Sequence, residues 1–545
     1  MLFKVLPLVA ISALLVSQTP SSPITFTLKP IPFQLENGET LRRHAPATMA
    51  GGLAIFDFNN DGRPDIFFTN GANIATLRKD DPKYSNRLFR NDGNGVFTEV
   101  TAQAGLAGTG FDIGVAVGDY DNDGFQDLFV AGVHRNTLYH NNGDGTFTDV
   151  TEKAGLAQPD PKYGPLWSVA AAFVDVNNDG LLDLFVVNYV QWDYATDPAC
   201  SYNGQSEYCN PSFYKGLPNQ LFLNKGNGKF EDVSEKWGIR QHVGKGMGVG
   251  VADFDADGLS DLFVTNDTYY NFFFHNLGSK FEEVAMDKGV ALVEDGNFVS
   301  GMGLDFRDID NDGYPDISFV ALAKQTFPLF KNNAGHDFTE VTAARGMRMA
   351  SMPMSAFGVG IFDFDNDGWK DMFVTRGDVL SLPVYHTEID QHNSVFRNPG
   401  AKGNWKVVDA GLDVGPAARF RGCAFGDLNG DGKVDVVVTA LGKPAEIWMN
   451  ASQGSGHWLD IALQGVKSNR DGMGARIKVT SANGIQFNHK TNSVGYASSS
   501  AGPVHFGLGP DAIATSVEIK WPSGIVQTLK NVAADQVITV KEAAK

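Results

Sequence analysis

One nine-residue phrase, acidic or amide at positions 1, 3, 5 and 9 with glycine at position 6, occurs seven times in this chain. No other feature limits the possible folds as much. It reads DFNNDGRPD from Asp57, DYDNDGFQD from Asp119, DVNNDGLLD from Asp175 and DFDADGLSD from Asp253. It returns as DIDNDGYPD from Asp308, DFDNDGWKD from Asp363 and DLNGDGKVD from Asp427. The starts are 62, 56, 78, 55, 55 and 64 residues apart. A Gly-rich apolar run precedes each phrase, as in GVAVGDY, and a strand-like run such as DLFVA follows it. A segment like NTLYHN comes next, then a Gly/Asn turn into a run like GTFTDVT. Each repeat therefore holds four short β-type runs joined by turns. One such unit cannot bury both its faces, so units must cover one another. Seven four-stranded units predict an all-β fold, a seven-bladed β-propeller. The small residues Gly246, Gly248, Gly250, Gly301, Gly303, Gly358 and Gly360 suit the crowded innermost strands. The seventh repeat breaks pattern after AEIWMN, and TFTLKP (Thr25 to Pro30) is expected to supply its outer strand.

The phrase also carries chemistry. Side-chain oxygens recur at position 1 (Asp57, Asp119, Asp175, Asp253, Asp308, Asp363, Asp427) and position 3 (Asn59, Asp121, Asn177, Asp255, Asp310, Asp365, Asn429). They recur at position 5 (Asp61, Asp123, Asp179, Asp257, Asp312, Asp367, Asp431) and position 9 (Asp65, Asp127, Asp183, Asp261, Asp316, Asp371, Asp435). Position 7 (Arg63, Phe125, Leu181, Leu259, Tyr314, Trp369, Lys433) is placed to offer a backbone carbonyl. Calcium takes about six to eight oxygen ligands in flexible geometry, and the glycine permits the reversal that aims them inward. A plain turn needs no acid at position 9. An EF-hand would need flanking helices and Glu at position 12, and magnesium is less suited to a near-complete protein oxygen cage. The expectation is about seven structural calcium sites.

The charge follows from these loops. Formal net charge is −19, and setting aside the 25 loop aspartates turns it to +6. The acidity belongs to the metal sites, and no basic face marks a nucleic-acid binder.

At the N-terminus Lys4 precedes an apolar run, Val5 to Val16, then small and polar residues. The run is too short to span a bilayer and has the layout of a secretory signal peptide. The expected organisation is a signal peptide over 1–22, a propeller over 23–453 and a small β-sandwich-like domain over 454–545. Alternation in ARIKVTS, TSVEIKW and QVITVKE supports the last. No later stretch is long and apolar enough for a membrane helix. In an exported protein Cys200 and Cys209, in the polar stretch CSYNGQSEYC, are placed for a local disulfide. Cys423 reads as a small buried residue.

These motifs resemble FG-GAP/VCBS repeats, the units of the integrin α-subunit propeller. From about Met49 to the C-terminus the chain is similar to the cartilage acidic protein 1 family. NRDGMGARIKV (Asn469 to Val479), HFGLG (His505 to Gly509) and WPSG (Trp521 to Gly524) resemble the ASPIC/UnbV domain. The stretch YCNPSFYKG (Tyr208 to Gly216) resembles the family's third-blade insert. The resemblance implies secretion, calcium and a binding or adhesive role, and it implies no defined reaction.

Strand order places every acidic loop on one face of the disc. The opposite face carries inserts over 70–85, 188–218 and 376–393, and variable loops on a rigid scaffold are the usual site of recognition. Trp192, Tyr194, Tyr208, Tyr214, Tyr269 and Tyr270 are aromatic candidates there for a glycan or protein partner. Packing of the same rings against the disc is the alternative. His134 and His386 fall on the same face, as does Arg376-Gly377-Asp378, a cell-attachment tripeptide. The sequence holds no HExxH, GxSxG or Walker motif. The leading reading is a secreted calcium-binding recognition or adhesion scaffold. The alternative is a secreted lyase, hydrolase or cyclase with its site in the propeller funnel.

Overall fold

The computed structural model describes residues 23–380, 388–454 and 456–544; the apolar N-terminal stretch 1–22 lies outside them. Each blade is an antiparallel sheet of four strands, to which Ser499–Ser500 adds a short parallel fifth in blade 1. In blade 2 these are Phe111–Gly118, Asp127–Val133, Thr137–Asn141 and Phe147–Asp149, paired in chain order. The first two are buried along their whole length. Blades press on both faces of these strands, so they read as continuous apolar runs and not as alternating ones.

The first strands of the seven blades are Leu53–Phe56, Phe111–Gly118, Ser168–Val174, Gly246–Ala252, Leu304–Arg307, Ala356–Phe362 and Phe420–Gly426. Each touches the next and the last touches the first, which closes a ring around a central channel. Crowding there is severe. A Cβ at Gly303 would lie 2.5 Å from the Phe357 carbonyl oxygen. The N-terminal strand Phe26–Gln34 pairs antiparallel with Pro444–Asn450, setting Phe26 opposite Asn450. It is the outermost strand of blade 7, so both ends of the ring's chain meet in one sheet.

Neighbouring blades are fastened by an asparagine that the sequence reading passed over. The third strand of every blade has one at or near its end: Asn91, Asn141, Asn224, Asn276, Asn332, Asn398 and Asn450. Asn141 is typical. Its backbone N–H donates to Asp127 Oδ1 at 2.7 Å, and its side-chain amide donates to the Phe58 carbonyl of blade 1 at 2.8 Å. The same amide reaches back from Asn224 to Tyr120, from Asn276 to Val176 and from Asn332 to Phe254. It does so again from Asn398 to Ile309 and from Asn450 to Phe364, and Asn91 closes the circle on Leu428.

The C-terminal domain is two sheets packed face to face. Val504–Gly509, His457–Gln464 and Gln536–Lys541 form one. Gly484–His489, Arg476–Ser481, Ile513–Lys520 and Val526–Ala533 form the other. Leu459, Ile461, Ile477, Val479, Phe506 and Trp521 fill the space between.

Asn141→Ala removes two buried donors and leaves the Phe58 and Gln126 carbonyls unpaired. It should cost about 2–4 kcal/mol. Asn142→Ala next to it, losing an exposed bond to Thr146, should change stability by less than about 0.5 kcal/mol. Chemical-denaturation midpoints of the two variants check this; equal shifts would contradict the lattice.

Candidate metal centres and the plugged channel

The acidic loops share one backbone course. Position 6 glycines have φ from 77° (Gly432) to 98° (Gly124). Position 4 is left-handed too, at Asn60, Asn122, Asn178, Ala256, Asn311, Asn366 and Gly430. Asparagine and glycine accept that conformation readily, and Ala256 is the exception. In blade 6 the Gly368 N–H donates to Asp363 Oδ2 at 2.7 Å and the Trp369 N–H to Asp367 Oδ1 at 2.9 Å. The Phe364 N–H donates to Asp371 Oδ2 at 3.3 Å. Backbone donors therefore hold the carboxylates, and the position 7 residues sit in the turn as the repeat requires.

In blades 2, 4, 5 and 6 carboxylate oxygens from positions 1, 3 and 9 lie within 4.8 Å of one another: Asp119, Asp121 and Asp127; Asp253, Asp255 and Asp261; Asp308, Asp310 and Asp316; Asp363, Asp365 and Asp371. Blades 1, 3 and 7 have Asn59, Asn177 and Asn429 at position 3. There an amide replaces the third carboxylate, and Asn59 and Asn177 donate to Asp61 and Asp179 at 3.2 and 3.0 Å. Burial pushes Asp65, Asp119 and Asp363 up to about 8; at Asp363 the charges of Asp367 and Asp365 add to it. Asp253 Oδ1, Asp310 Oδ1 and Asp365 Oδ1 are buried without a hydrogen-bond partner among the described residues. Crowded, desolvated carboxylates with unsatisfied oxygens fit a hard cation, so these clusters could hold metal ions.

In blades 2, 4, 5 and 6 the residue just before the lattice asparagine, His140, His275, Lys331 or Arg397, is a basic or imidazole side chain that reaches its own acidic loop. His140 Nδ1 lies 3.4 Å from Asp121 and 3.3 Å from Asp127. Lys331 pairs with Asp310 and Asp312, and Arg397 with Asp365 and Asp367. The reading of the nine-residue phrase missed them because they lie outside it. Their fixed position in the third run, seen in LYHN, LFKN and VFRN, was the available signal.

The C-terminal domain sits on this loop face. Position 4 amides bridge to the next blade's glycine carbonyl, as from Asn60 to Gly124 at 2.8 Å and from Asn366 to Gly432 at 3.0 Å. Ala256 has no amide, and Arg476 takes the Gly313 carbonyl instead at 2.6 Å while lying 3.4 Å from Asp253.

From the same domain, residues 489–501 enter the channel. They hydrogen-bond to inner strands of five blades. The Val115 N–H donates to the Ala497 carbonyl at 3.1 Å, and Leu304 and Gly495 bond to each other in both directions. Ser493 Oγ donates to the Val249 carbonyl at 2.7 Å. The N–H groups of Leu53 and Phe425 donate to Ser498 Oγ and Ser500 Oγ. Tyr496, wholly buried, donates to the Met49 carbonyl at 2.9 Å and packs edge-on against Phe357. Inner strands otherwise turn an open edge to the channel, and this segment satisfies it. The funnel suggested for a secreted enzyme is therefore filled by the chain itself.

On the opposite face the blade 3 insert is stapled by a Cys200–Cys209 disulfide, with Cα atoms 5.2 Å apart. Its aromatic rings divide. Trp192 and Tyr208 are buried, so they pack the insert and offer no open surface. Tyr214 is half-buried and donates to Asp197. Tyr194 is exposed and lies against His44. Tyr269 and Tyr270 stack at 4.2 Å beside the exposed Phe298. His134 has a left-handed backbone, donates its Nε2–H to the Trp192 carbonyl at 2.8 Å, and lines a cleft with Arg135 between blades 2 and 3. His386 lies outside the described residues. The tripeptide at Arg376 is not displayed: Arg376 is bonded to Gln391 and Ser394, and Asp378 is buried on Ser355.

Comparison with known proteins agrees with this architecture. The FG-GAP-like repeat family matches at 57–130, 119–186, 208–264, 253–319 and 308–374, and the ASPIC and UnbV family at 465–545. The chain belongs to the FG-GAP repeat proteins and ends in an ASPIC/UnbV domain. It is 24% identical to human cartilage acidic protein 1 over 91% of this chain and 72% of that protein. Against the Xenopus tropicalis protein of the same name identity is 22%, over 92% of this chain and 74% of that one. Among solved structures it is similar to an Agrocybe aegerita lectin that recognises non-reducing terminal N-acetylglucosamine (TM-score 0.41, 16% identity, 73% of this chain, 87% of that one). It is also similar to BBS1N in complex with ARL6DN (TM-score 0.45, 9% identity, 79% and 98%).

Tyr496→Ala should destabilise the protein by about 3–5 kcal/mol through a cavity and a lost bond. It should also speed tryptic cleavage after Lys490, which is buried and bonded to Asn492 and Gly502. Cleavage at Lys490 that is as fast in the unaltered protein would show that the segment does not fill the channel.

Proposed function

We propose that this protein is a secreted, calcium-loaded scaffold that recognises or anchors an extracellular glycan or protein through the face opposite its acidic loops. The observation that carries this reading is the distribution of what is covered. The C-terminal domain caps the loop face, and residues 489–501 fill the channel. The inserts on the far side remain for a partner. The half-buried Tyr269 and Tyr270 and the exposed Phe298 form a stack of rings there, which suits a sugar face or a partner's apolar anchor. Secretion is supported by the Cys200–Cys209 disulfide and by the signal-like composition of 1–22. Among the described residues no helix is long and apolar enough to cross a membrane.

Calcium in this reading is structural. The donor sets are all-oxygen, the carboxylates are buried, and the loops carry more negative charge than their neighbours offset. Calcium neutralises that charge and joins loop to loop under the C-terminal domain.

Two outcomes test the proposal. Chelation with EGTA should lower the melting midpoint by about 10 °C or more, with recovery in calcium and not in equal magnesium, because ligands bound only by the native state add to its stability. An unchanged midpoint would remove calcium from the account. In glycan-array and extracellular-matrix binding assays, Tyr270→Ala should reduce binding about tenfold in protein that still melts cooperatively, the midpoint falling only by the packing the ring loses. A partner whose binding ignores Tyr270 and the three inserts would place recognition elsewhere.

A further inference from the structure

At the end of the channel away from the acidic loops is a cavity of about 90 Å³. Its walls come from residues that follow the second strands of several blades and from the stapled insert. Tyr189, Tyr208, Tyr214, Asp267, Thr268 and Ser300 are among them. Three polar atoms on these walls have no hydrogen-bond partner among the described residues: Asp267 Oδ1, Thr268 Oγ1 and Tyr208 Oη. Asp267 and Tyr208 are only 5% and 6% exposed. Buried polar atoms are nearly always paired, so three unpaired on one cavity point to a missing donor.

One carboxylate is fixed in the wall. Tyr189 donates to Asp267 Oδ2 at 2.7 Å and, with the Ser300 hydroxyl that also acts on this carboxylate, fixes it. Among the described residues no Lys, Arg or His nitrogen lies within 4.0 Å of Asp267. Lys245, the cation that acts on it from further away, is bonded to the Pro211 carbonyl at 2.8 Å. Thr268, a β-branched residue, holds a φ of 52°. That conformation is costly and persists only where its surroundings impose it. Two rings near the cavity already carry cations: Arg421 over Phe357 at 3.8 Å and Arg43 over Tyr208 at 5.4 Å. Tyr189, packed edge-on with Trp167, and Tyr214 also line the cavity.

We propose that this cavity binds one primary ammonium group, whose three N–H donors match Asp267 Oδ1, Thr268 Oγ1 and Tyr208 Oη. A buried carboxylate supplies the charge and tyrosine rings supply the cation–π wall. The volume suits a two-carbon ammonium or the tip of a lysine side chain. The inference goes beyond the recognition reading and does not depend on which partner, if any, that face engages.

The test is isothermal titration of the intact, calcium-supplemented chain with ethylammonium chloride, against sodium chloride at equal ionic strength. Nα-acetyl-lysine methylamide forms a second arm. Saturable binding on the order of millimolar is expected. Asp267→Asn should weaken it at least about tenfold. Tyr208→Phe should weaken it severalfold while leaving the melting midpoint unchanged or higher, since the hydroxyl has no partner to lose. That second variant decides the matter if Asp267→Asn fails to fold. Tighter binding of the lysine derivative identifies a protein side chain as the source, and binding of ethylammonium alone identifies a free amine. Heats equal to those of sodium chloride, or binding retained in both variants, would overturn the proposal.

Discussion

The carboxylate at the ninth loop position holds this molecule together. One oxygen accepts the N–H of position 2 and so closes the acidic loop. The other accepts the N–H of the third-strand asparagine, as Asp127 does from Tyr120 and Asn141. That asparagine then spends its side chain on the preceding blade. Loop shape, blade geometry and ring closure thus meet at one buried acid per repeat. Burial pushes Asp127 up to about 7 and Asp183, Asp316, Asp371 and Asp435 well above the ordinary carboxylate range. A cation shared with positions 1, 3 and 5 is the natural counterweight.

The C-terminal domain completes what the blades leave open. It lies over the acidic loops, lends Arg476 where Ala256 lacks an amide, and feeds residues 489–501 into the channel. Loops, cap and plug are consequently one mechanical unit. Contacts such as Arg470 N–H to Asn122 and His505 to Asn366 tie the cap directly to the loops. The opposite face is free of that burden, which is why its loops can vary in length and carry a stapled insert.

Much of this was legible in the sequence. Seven phrases in register fixed the blade number because each phrase joins a blade's first two strands, and the small inner residues marked the crowded axis. The outer strand contributed by Phe26–Gln34 was visible because the seventh repeat lacks one. The asparagine lattice was written equally plainly, as an invariant final Asn in NRLFRN, NTLYHN and their counterparts, but its meaning depends on a neighbour about 80 residues or more away, for Asn141 at Phe58. The plug could not be read at all. KTNSVGYASSSAG has no strand periodicity of its own, and its order comes from the inner-strand edges it satisfies. Aromatic composition left two readings open at the blade 3 insert, and Trp192 and Tyr208 take the packing one; a ring's identity does not say which way it faces.

The account rests on cation occupancy of the acidic loops, and metal counting by native mass spectrometry with elemental analysis of the same sample addresses it most directly. The account predicts about seven calcium ions per chain in saturating calcium, with blades 2, 4, 5 and 6, where positions 1, 3 and 9 are all carboxylates, the last to lose them on dilution. A chain that stays folded and holds no calcium, or at most one or two ions, would contradict it.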